Sequence, residues 1–163
     1  MPFGLAPVPS VDTVVPTEPQ AIVEAFLAAL ADNDFATANA LLDPDVVYVN
    51  VGLPTIRGSK GVIKVLSPMA RYDNVFEVYL HSITTDGGIV ATERTDVLNF
   101  GPLRLQFWVW GRFDVRDGRI TLWRDSFDYL DMTRSLVRGL LGIVIPGLRP
   151  KAPTGLDTPP GRH

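Results

Sequence analysis

Three short polar segments interrupt apolar stretches of this sequence, and their residue types suit acid–base chemistry. They are Tyr48-Val49-Asn50, Arg94-Thr95-Asp96 and Trp123-Arg124-Asp125. Each lies in a predicted β-strand, so its first and third side chains share a face. If these faces line one cavity, an arginine, two carboxylates, a phenol and an amide meet in apolar surroundings. Burying such groups costs free energy unless they are paired with one another or serve a function, so the pattern predicts a candidate acid–base site.

Arg94, Asp96 and Asp125 would form a cluster whose charge depends on one proton. Arginine stays protonated and can bridge two carboxylates. With both aspartates ionised the cluster carries one excess negative charge, and binding one proton neutralises it at lower cost. One aspartate could then donate a proton while the other accepts one, with Tyr48 and Asn50 holding a water. Charge counting leaves open which aspartate is protonated, and an isolated Arg–Asp pair on a strand is often only a surface pair.

The elements that must position these side chains follow from periodicity and turn signals. A first helix is predicted from Thr17, its capping residue, and a second is capped by Asn33 or Asp34. Further elements are a strand at 46–51, a helix at 58–69, strands near 75–85, 89–99, 103–116 and 119–129, and a closing helix at 131–142. This order predicts an α+β fold in which a strongly curved mixed sheet wraps around the N-terminal helices and forms a conical pocket.

Composition narrows the possible chemistry. The net charge of −3 gives no reason to expect nucleic acid or an anionic membrane as partner. Without cysteine the chain has no thiolate catalysis and no cysteine-ligated metal, which fits a cytoplasmic protein. His81 and His163 are the only histidines, there is no Gly-x-Ser-x-Gly elbow, and no metal-ligand spacing appears. We therefore expect carboxylate chemistry, and a packed or surface role for His81.

The 163 residues suit one domain, predicted at 17–145, between flexible proline-rich segments at 1–16 and 146–163. An apolar stretch from Leu136 to Leu148 is well short of the roughly 20 residues that span a membrane. It is predicted to form a helix or lid packed on the domain.

At the polar segments the chain resembles the limonene-1,2-epoxide hydrolase family, whose fold is related to nuclear transport factor 2. The matching residues are Tyr48 to Asn50 with Leu53, Pro54 and Gly58, then Glu93 to Leu98, then Gly118 to Ile120 and Trp123 to Asp128. The resemblance covers roughly residues 20–130. Gly52 departs from it, because proline is expected there.

The resemblance implies one-step hydrolysis of an epoxide to a vicinal diol, without metal, cofactor or covalent intermediate. Asp125 would be the general base for a water also held by Tyr48 and Asn50. Asp96 would be the general acid, and Arg94 would bridge the two carboxylates. The resemblance also implies a homodimer.

Abundant Leu, Val, Phe and Trp suggest a lipophilic substrate, terpenoid, fatty or sterol-like, in lipid metabolism or detoxification. Trp123, Phe127 and Leu53 are the expected substrate contacts. Since both faces of Leu105–Trp110 are bulky and apolar, the outer face of the sheet is a candidate dimer surface.

Two alternatives stay open. A ketosteroid-type isomerase also uses an Asp base with a Tyr and a protonated Asp, but it has no need of Arg94. A non-catalytic domain would use the polar cluster only to orient a bound lipid.

Overall fold

The computed structural model describes residues 16–71 and 76–152, which form a six-stranded mixed sheet with helices packed against it. The α-helices are α1 (Pro19–Ala31), α2 (Phe35–Leu41), α3 (Ser59–Leu66) and α4 (Tyr129–Val144). Short 3-10 helices follow at Ser67–Arg71 and Pro146–Leu148. The strands are β1 (Leu42–Asn50), β2 (Ile56–Arg57), β3 (Phe76–Asp86), β4 (Ile89–Phe100), β5 (Leu103–Arg116) and β6 (Arg119–Phe127).

The sheet order is β2-β1-β6-β5-β4-β3, with β1 parallel to β6 and every other pair antiparallel. Asp117 and Gly118 both have positive φ angles, 50° and 76°, in the tight turn between β5 and β6. Such turns match the twist of the strands they join. The predicted α+β fold with a curved mixed sheet is confirmed.

Three boundaries differ from prediction. Thr17 does not cap α1, because the N-cap is Glu18 and its side chain makes no capping bond. Strand β1 begins at Leu42 instead of Val46 and includes Pro44, which lies in a register irregularity against β6 where no ladder N–H is required. Helix α3 ends at Leu66 and passes into a 3-10 helix at Ser67, whose backbone stays helical with φ −58° and ψ −27°. The α-helical hydrogen bonds stop here because Pro68 has no backbone N–H to donate.

The hydrophobic core lies between α1 and the inner face of the sheet. Phe26 of α1 is fully buried and meets Trp123 edge-on, with ring centroids 5.0 Å apart. Phe113 of β5 is also fully buried and stacks on Trp123. Burying each of these rings contributes about 1.5–3 kcal/mol, so the core holds β5 and β6 at a defined distance from α1.

Helix α4 packs along the part of β5 that β6 does not reach, since β6 ends at Phe127 opposite Val109. The Ser135 hydroxyl accepts from the Gln106 amide at 2.9 Å and donates to the Gln106 carbonyl at 2.6 Å. Asp131 accepts from the Trp108 amide at 3.2 Å. These side chains replace the missing strand partner, which explains why the helix runs beside β5.

The apolar stretch beginning at Leu136 forms the second half of α4 and the 3-10 helix Pro146–Leu148. Among the described residues, no helix is long and apolar enough to cross a membrane. Of the predicted flexible ends, residues 1–15 and 153–163 lie outside the described residues. Residues 146–152 of the predicted tail are described, and Pro146–Leu148 forms a 3-10 helix there.

Candidate active site

A cavity of about 220 Å³ opens between the helical layer and the inner face of the sheet. Among the described residues, four polar side chains line it, those of Tyr48, Asn50, Asp96 and Asp125. The rest of the lining is apolar: Leu30, Phe35, Leu53, Leu66, Met69, Phe76, Leu98, Phe107, Val109, Trp123, Phe127 and Met132. The three predicted substrate-contact residues, Leu53, Trp123 and Phe127, are therefore all in its wall.

Arg94 lies beneath this polar group, fully buried, and joins the two carboxylates. Its Nε donates to Asp96 Oδ1 at 2.9 Å, and its Nη2 donates to Asp125 Oδ2 at 2.6 Å and to Asp96 Oδ2 at 3.3 Å. Both aspartates are 5% exposed. Arg94 and Asp96 lie on β4 and Asp125 lies on β6, so the structure brings together charged residues that are up to 31 positions apart in the sequence.

The guanidinium of Arg94 rests on two residues that sequence reasoning missed. Thr92 accepts from Arg94 Nη1 at 3.2 Å, and Gly111 lies opposite both Thr92 and Asp125 in the sheet. A Cβ at Gly111 would collide with the guanidinium and the Thr92 hydroxyl, and would lie 3.2 Å from Asp125 Oδ1. A glycine inside a strand was the available signal, because it often marks a close approach.

Burial gives the groups of this cluster pKa values that differ from those of surface side chains. Burial raises the pKa of Asp96 to about 6, and the charge of Asp125 adds to the rise, while Arg94 acts in the opposite direction. Burial also works against the charge on Arg94, but the two carboxylates outweigh it and hold the pKa of Arg94 above its usual value. Asp96 is therefore a carboxyl group that can hold a proton near neutral pH.

Asp125 lines the cavity, and only one of its two carboxylate oxygens is bonded to Arg94. Its Oδ1 is buried and has no hydrogen-bond partner within residues 16–71 and 76–152. Leaving such an atom unsatisfied is costly, so Oδ1 retains the capacity to accept a hydrogen bond from a bound molecule.

Tyr48 and Asn50 reach the same point from β1, because the parallel register sets Tyr48 beside Trp123 and Asn50 beside Asp125. The Tyr48 ring stacks on Trp123 at 4.0 Å between centroids. Asn50 Nδ2 donates to the Tyr48 hydroxyl at 2.7 Å, which leaves the hydroxyl proton free to donate. Burial, with the charge of Asp125, raises the pKa of Tyr48, so the phenol stays neutral.

Other polar residues considered from the sequence lie away from the cavity. Arg124 is exposed. Asp128 caps α4, accepting from the Leu130 amide at 2.7 Å. His81 bonds the Thr95 hydroxyl at 2.7 Å on the opposite face of β4. In the described part of the chain, no group of three or more His, Cys, Asp or Glu side chains is placed to hold a metal ion.

The unexpected glycine at position 52 has a defined role at the cavity mouth. Gly52 has φ +94°, and the hydroxyl of Tyr129 occupies the space where a Cβ would project. That hydroxyl donates to the Val51 carbonyl at 2.7 Å, fastening the first residue of α4 to the loop that carries Leu53. Proline cannot adopt this φ, so the glycine makes the contact possible.

A model of the limonene-1,2-epoxide hydrolase catalytic domain matches residues 17–138. The chain belongs to the limonene-1,2-epoxide hydrolase family. It is 54% identical over 127 residues to epoxide hydrolase EphG of Mycobacterium tuberculosis, covering 78% of this chain and 85% of that protein. The solved structure of an M. tuberculosis LEH-like epoxide hydrolase is 51% identical with a TM-score of 0.79, covering 83% of this chain and 96% of the other.

More distant structures share the fold alone. An NTF2-like protein of unknown function from Cytophaga hutchinsonii is 18% identical, with a TM-score of 0.60 over 71% of this chain and 94% of the other. The family recognised from the polar segments and the NTF2-like fold are both confirmed. The limonene-1,2-epoxide hydrolase model ends at residue 138, part-way along α4.

Proposed function

We propose that this epoxide hydrolase opens a lipophilic epoxide to a vicinal diol in one step. Asp125 acts as general base and Asp96 as general acid. The observation that carries the proposal is the fully buried Arg94, which contacts both carboxylates at 2.9 and 2.6 Å beneath one apolar cavity.

In the proposed step the Asp125 carboxylate removes a proton from a water that the Tyr48 hydroxyl and the Asn50 amide also orient. The water oxygen bonds to an epoxide carbon while the bond from that carbon to the ring oxygen breaks. Asp96 gives its proton to the departing oxygen, so the product is a neutral diol. Asp125 then holds the proton that Asp96 has lost, and transfer from one carboxyl to the other restores the starting state.

Arg94 suits this exchange because its charge balances one carboxylate at every stage. Before and after the chemical step the three groups together carry one positive and one negative charge, so no net charge develops in the low-dielectric cavity. The fixed guanidinium also keeps both carboxyl groups in position without reorganisation as the proton moves.

Substrate recognition is proposed to be mainly apolar. Trp123, Phe127 and Leu53 offer aromatic and aliphatic surface next to the carboxylates. Such walls favour a terpenoid, fatty or sterol-like epoxide, and a cytoplasmic role in lipid metabolism or detoxification is consistent with them.

The direct test is a single turnover in isotopically labelled water. The proposal expects the label in the diol from the first turnover, and label appearing first in an aspartate would reject one-step attack. Replacing Asp125 by Asn should lower kcat by about 100-fold or more, the usual scale for loss of acid–base catalysis. Asp114→Asn, on the other face of β5 and paired with Arg112 at 2.9 Å, is the matched control and should keep its activity.

The same preparation distinguishes the alternatives. A ketosteroid-type isomerase would convert an unsaturated ketosteroid and leave epoxides unchanged. A binding module would retain hydrophobic amides without turning over any epoxide. Arg94 disfavours both alternatives, because neither needs a buried cation between two carboxylates.

We further propose that the outer face of the sheet forms a homodimer. Trp110 on that face is 54% exposed and lies against Trp108, with ring centroids 5.7 Å apart. Large exposed aromatic surface is typical of protein interfaces. At micromolar concentration, light scattering should give the mass of a dimer for the wild type and the mass of a monomer for Trp110→Glu. A monomeric mass for the wild type would reject the proposal.

A further inference from the structure

Helix α4 turns its small residues towards the protein and its large apolar residues outwards. Its buried positions are Ser135, Gly139 and Gly142, spaced i, i+4 and i+7. A Cβ at Gly139 would lie 2.7 Å from the Arg104 carbonyl, so only a glycine allows the helix to approach β5 this closely. A surface helix of a globular protein normally shows the reverse arrangement, with its large apolar side chains facing the core.

The outward face is largely aliphatic. At 100° per residue, Leu130, Val137 and Val144 lie opposite the buried stripe, and they are 56%, 51% and 80% exposed. We call the following set the α4 surface: Leu130, Leu136, Val137, Leu140, Leu141, Ile143, Val144, Ile145 and Leu148, each more than 40% exposed. Exposed apolar surface of this extent marks an interaction site.

The α4 surface is flanked by positive charge. From Leu130 to residue 152 the sequence contains Arg134, Arg138, Arg149 and Lys151, and one acidic residue, Asp131, whose carboxylate accepts from the Trp108 amide at 3.2 Å. All four cations are exposed. The chain as a whole carries −3, so its net charge conceals a locally basic segment.

The α4 surface continues to the cavity mouth. Met132 on the same helix lines the cavity, as does Leu53, which is 53% exposed. Between them, Tyr129 holds the loop through its bond to the Val51 carbonyl at 2.7 Å. A molecule that covers the α4 surface would therefore also meet the entrance.

We propose that the α4 surface docks this enzyme on a bilayer that contains anionic phospholipid, with the cavity mouth against the lipid. Aliphatic side chains bordered by arginine and lysine suit acyl chains bordered by phosphate groups. A symmetric contact with a second copy would instead bring the cations of both copies together, which is unfavourable. Six of the nine α4-surface residues lie beyond residue 138, where the family model ends.

The test is co-sedimentation of the full chain with phosphatidylcholine vesicles, with and without about 30% phosphatidylglycerol. Binding needs no turnover, so its outcome is independent of the proposed function. We expect binding to the anionic vesicles, reduced at least tenfold in the variant Val137→Glu/Val144→Glu, which places two charges on the apolar face. Val65→Glu on α3, at a position 54% exposed, is the matched control and should bind like the wild type.

A second variant, Arg134→Gln/Lys151→Gln, tests the charge contribution. Each cation near an anionic membrane is worth about fivefold in partitioning, so binding should fall about 25-fold and lose part of its salt dependence. Equal binding to both vesicle compositions, or unchanged binding in both variants, would overturn the proposal. A smaller oligomeric mass for Val137→Glu/Val144→Glu in solution would also overturn it, since the α4 surface would then belong to a contact between copies.

Discussion

Replacing Asp96 by Asn should lower kcat. It should also remove the loss of unfolding free energy that the wild type shows as pH rises. Asp96 is buried between Arg94 and the cavity, and burial raises its pKa from an ordinary 3.8 to about 6. Between these two values the folded protein binds more protons at this site than the unfolded chain does. The free energy of unfolding therefore falls as pH rises through that window.

The size of the effect follows from the two pKa values. A rise from 3.8 to about 6 corresponds to roughly 3 kcal/mol of unfolding free energy, present at low pH and lost once pH exceeds about 6. Asparagine at position 96 does not titrate, so the Asp96→Asn variant does not lose this unfolding free energy as pH rises. Its amide also cannot replace both acceptor oxygens facing Arg94, which lowers stability by about 1–3 kcal/mol at every pH.

The assay is urea unfolding of wild type and Asp96→Asn between pH 4 and pH 8. The difference in unfolding free energy between the two proteins should shift by roughly 2–3 kcal/mol in favour of the variant across this range. In parallel, wild-type kcat/KM should fall about tenfold per pH unit above pH 6, because the acid must be protonated to act. The variant should lose about 100-fold or more in kcat.

Two results would refute this reasoning. If the two stability profiles stay parallel from pH 4 to pH 8, burial does not raise the pKa of Asp96. If Asp96→Asn keeps near-normal kcat, this residue is not the proton donor. The two readouts are separate, so a raised pKa without a catalytic role would be recognised as such.

Further substitutions test the supports of the site. Gly111→Ala should push the Arg94 guanidinium out of place, lowering stability by about 1–3 kcal/mol and kcat by at least tenfold; an unaffected kcat would contradict the close approach. Gly52→Ala should destabilise by about 1–2 kcal/mol in urea unfolding, because its φ of +94° is strained for alanine and the Tyr129 hydroxyl occupies the Cβ position. Tyr129→Phe removes the bond to the Val51 carbonyl and should lower the free energy of unfolding by about 1 kcal/mol. It should also raise KM more than it lowers kcat, whereas a fall in kcat with KM unchanged would place Tyr129 in the chemistry.

Most of the fold could be predicted from the sequence because its turns and strand alternation are set by neighbouring residues. The turn at Asp117-Gly118 and the strand alternation on both sides depend only on neighbouring residues, and both were predicted. Thr17 as a cap and Val46 as the start of β1 were wrong. The start of β1 depended on a contact with another element, the irregular pairing of β1 with β6 that accommodates Pro44.

The sequence by itself determined which side chains share a face: Tyr48 with Asn50, and Arg94 with Asp96. Strand geometry alternates side chains with a period of two, whatever the rest of the chain does. It also determined that the cluster has one more carboxylate than cations, so that one proton neutralises it.

Only the tertiary structure decided that these faces meet. The parallel pairing of β1 with β6 sets Asn50 beside Asp125, and the antiparallel pairing of β5 sets Gly111 between Thr92 and Asp125. Long-range strand order is not encoded in any local pattern, and neither is the depth of burial. That depth raises the pKa of Asp96 and so supports it as the aspartate that holds the proton, a choice that charge counting left open.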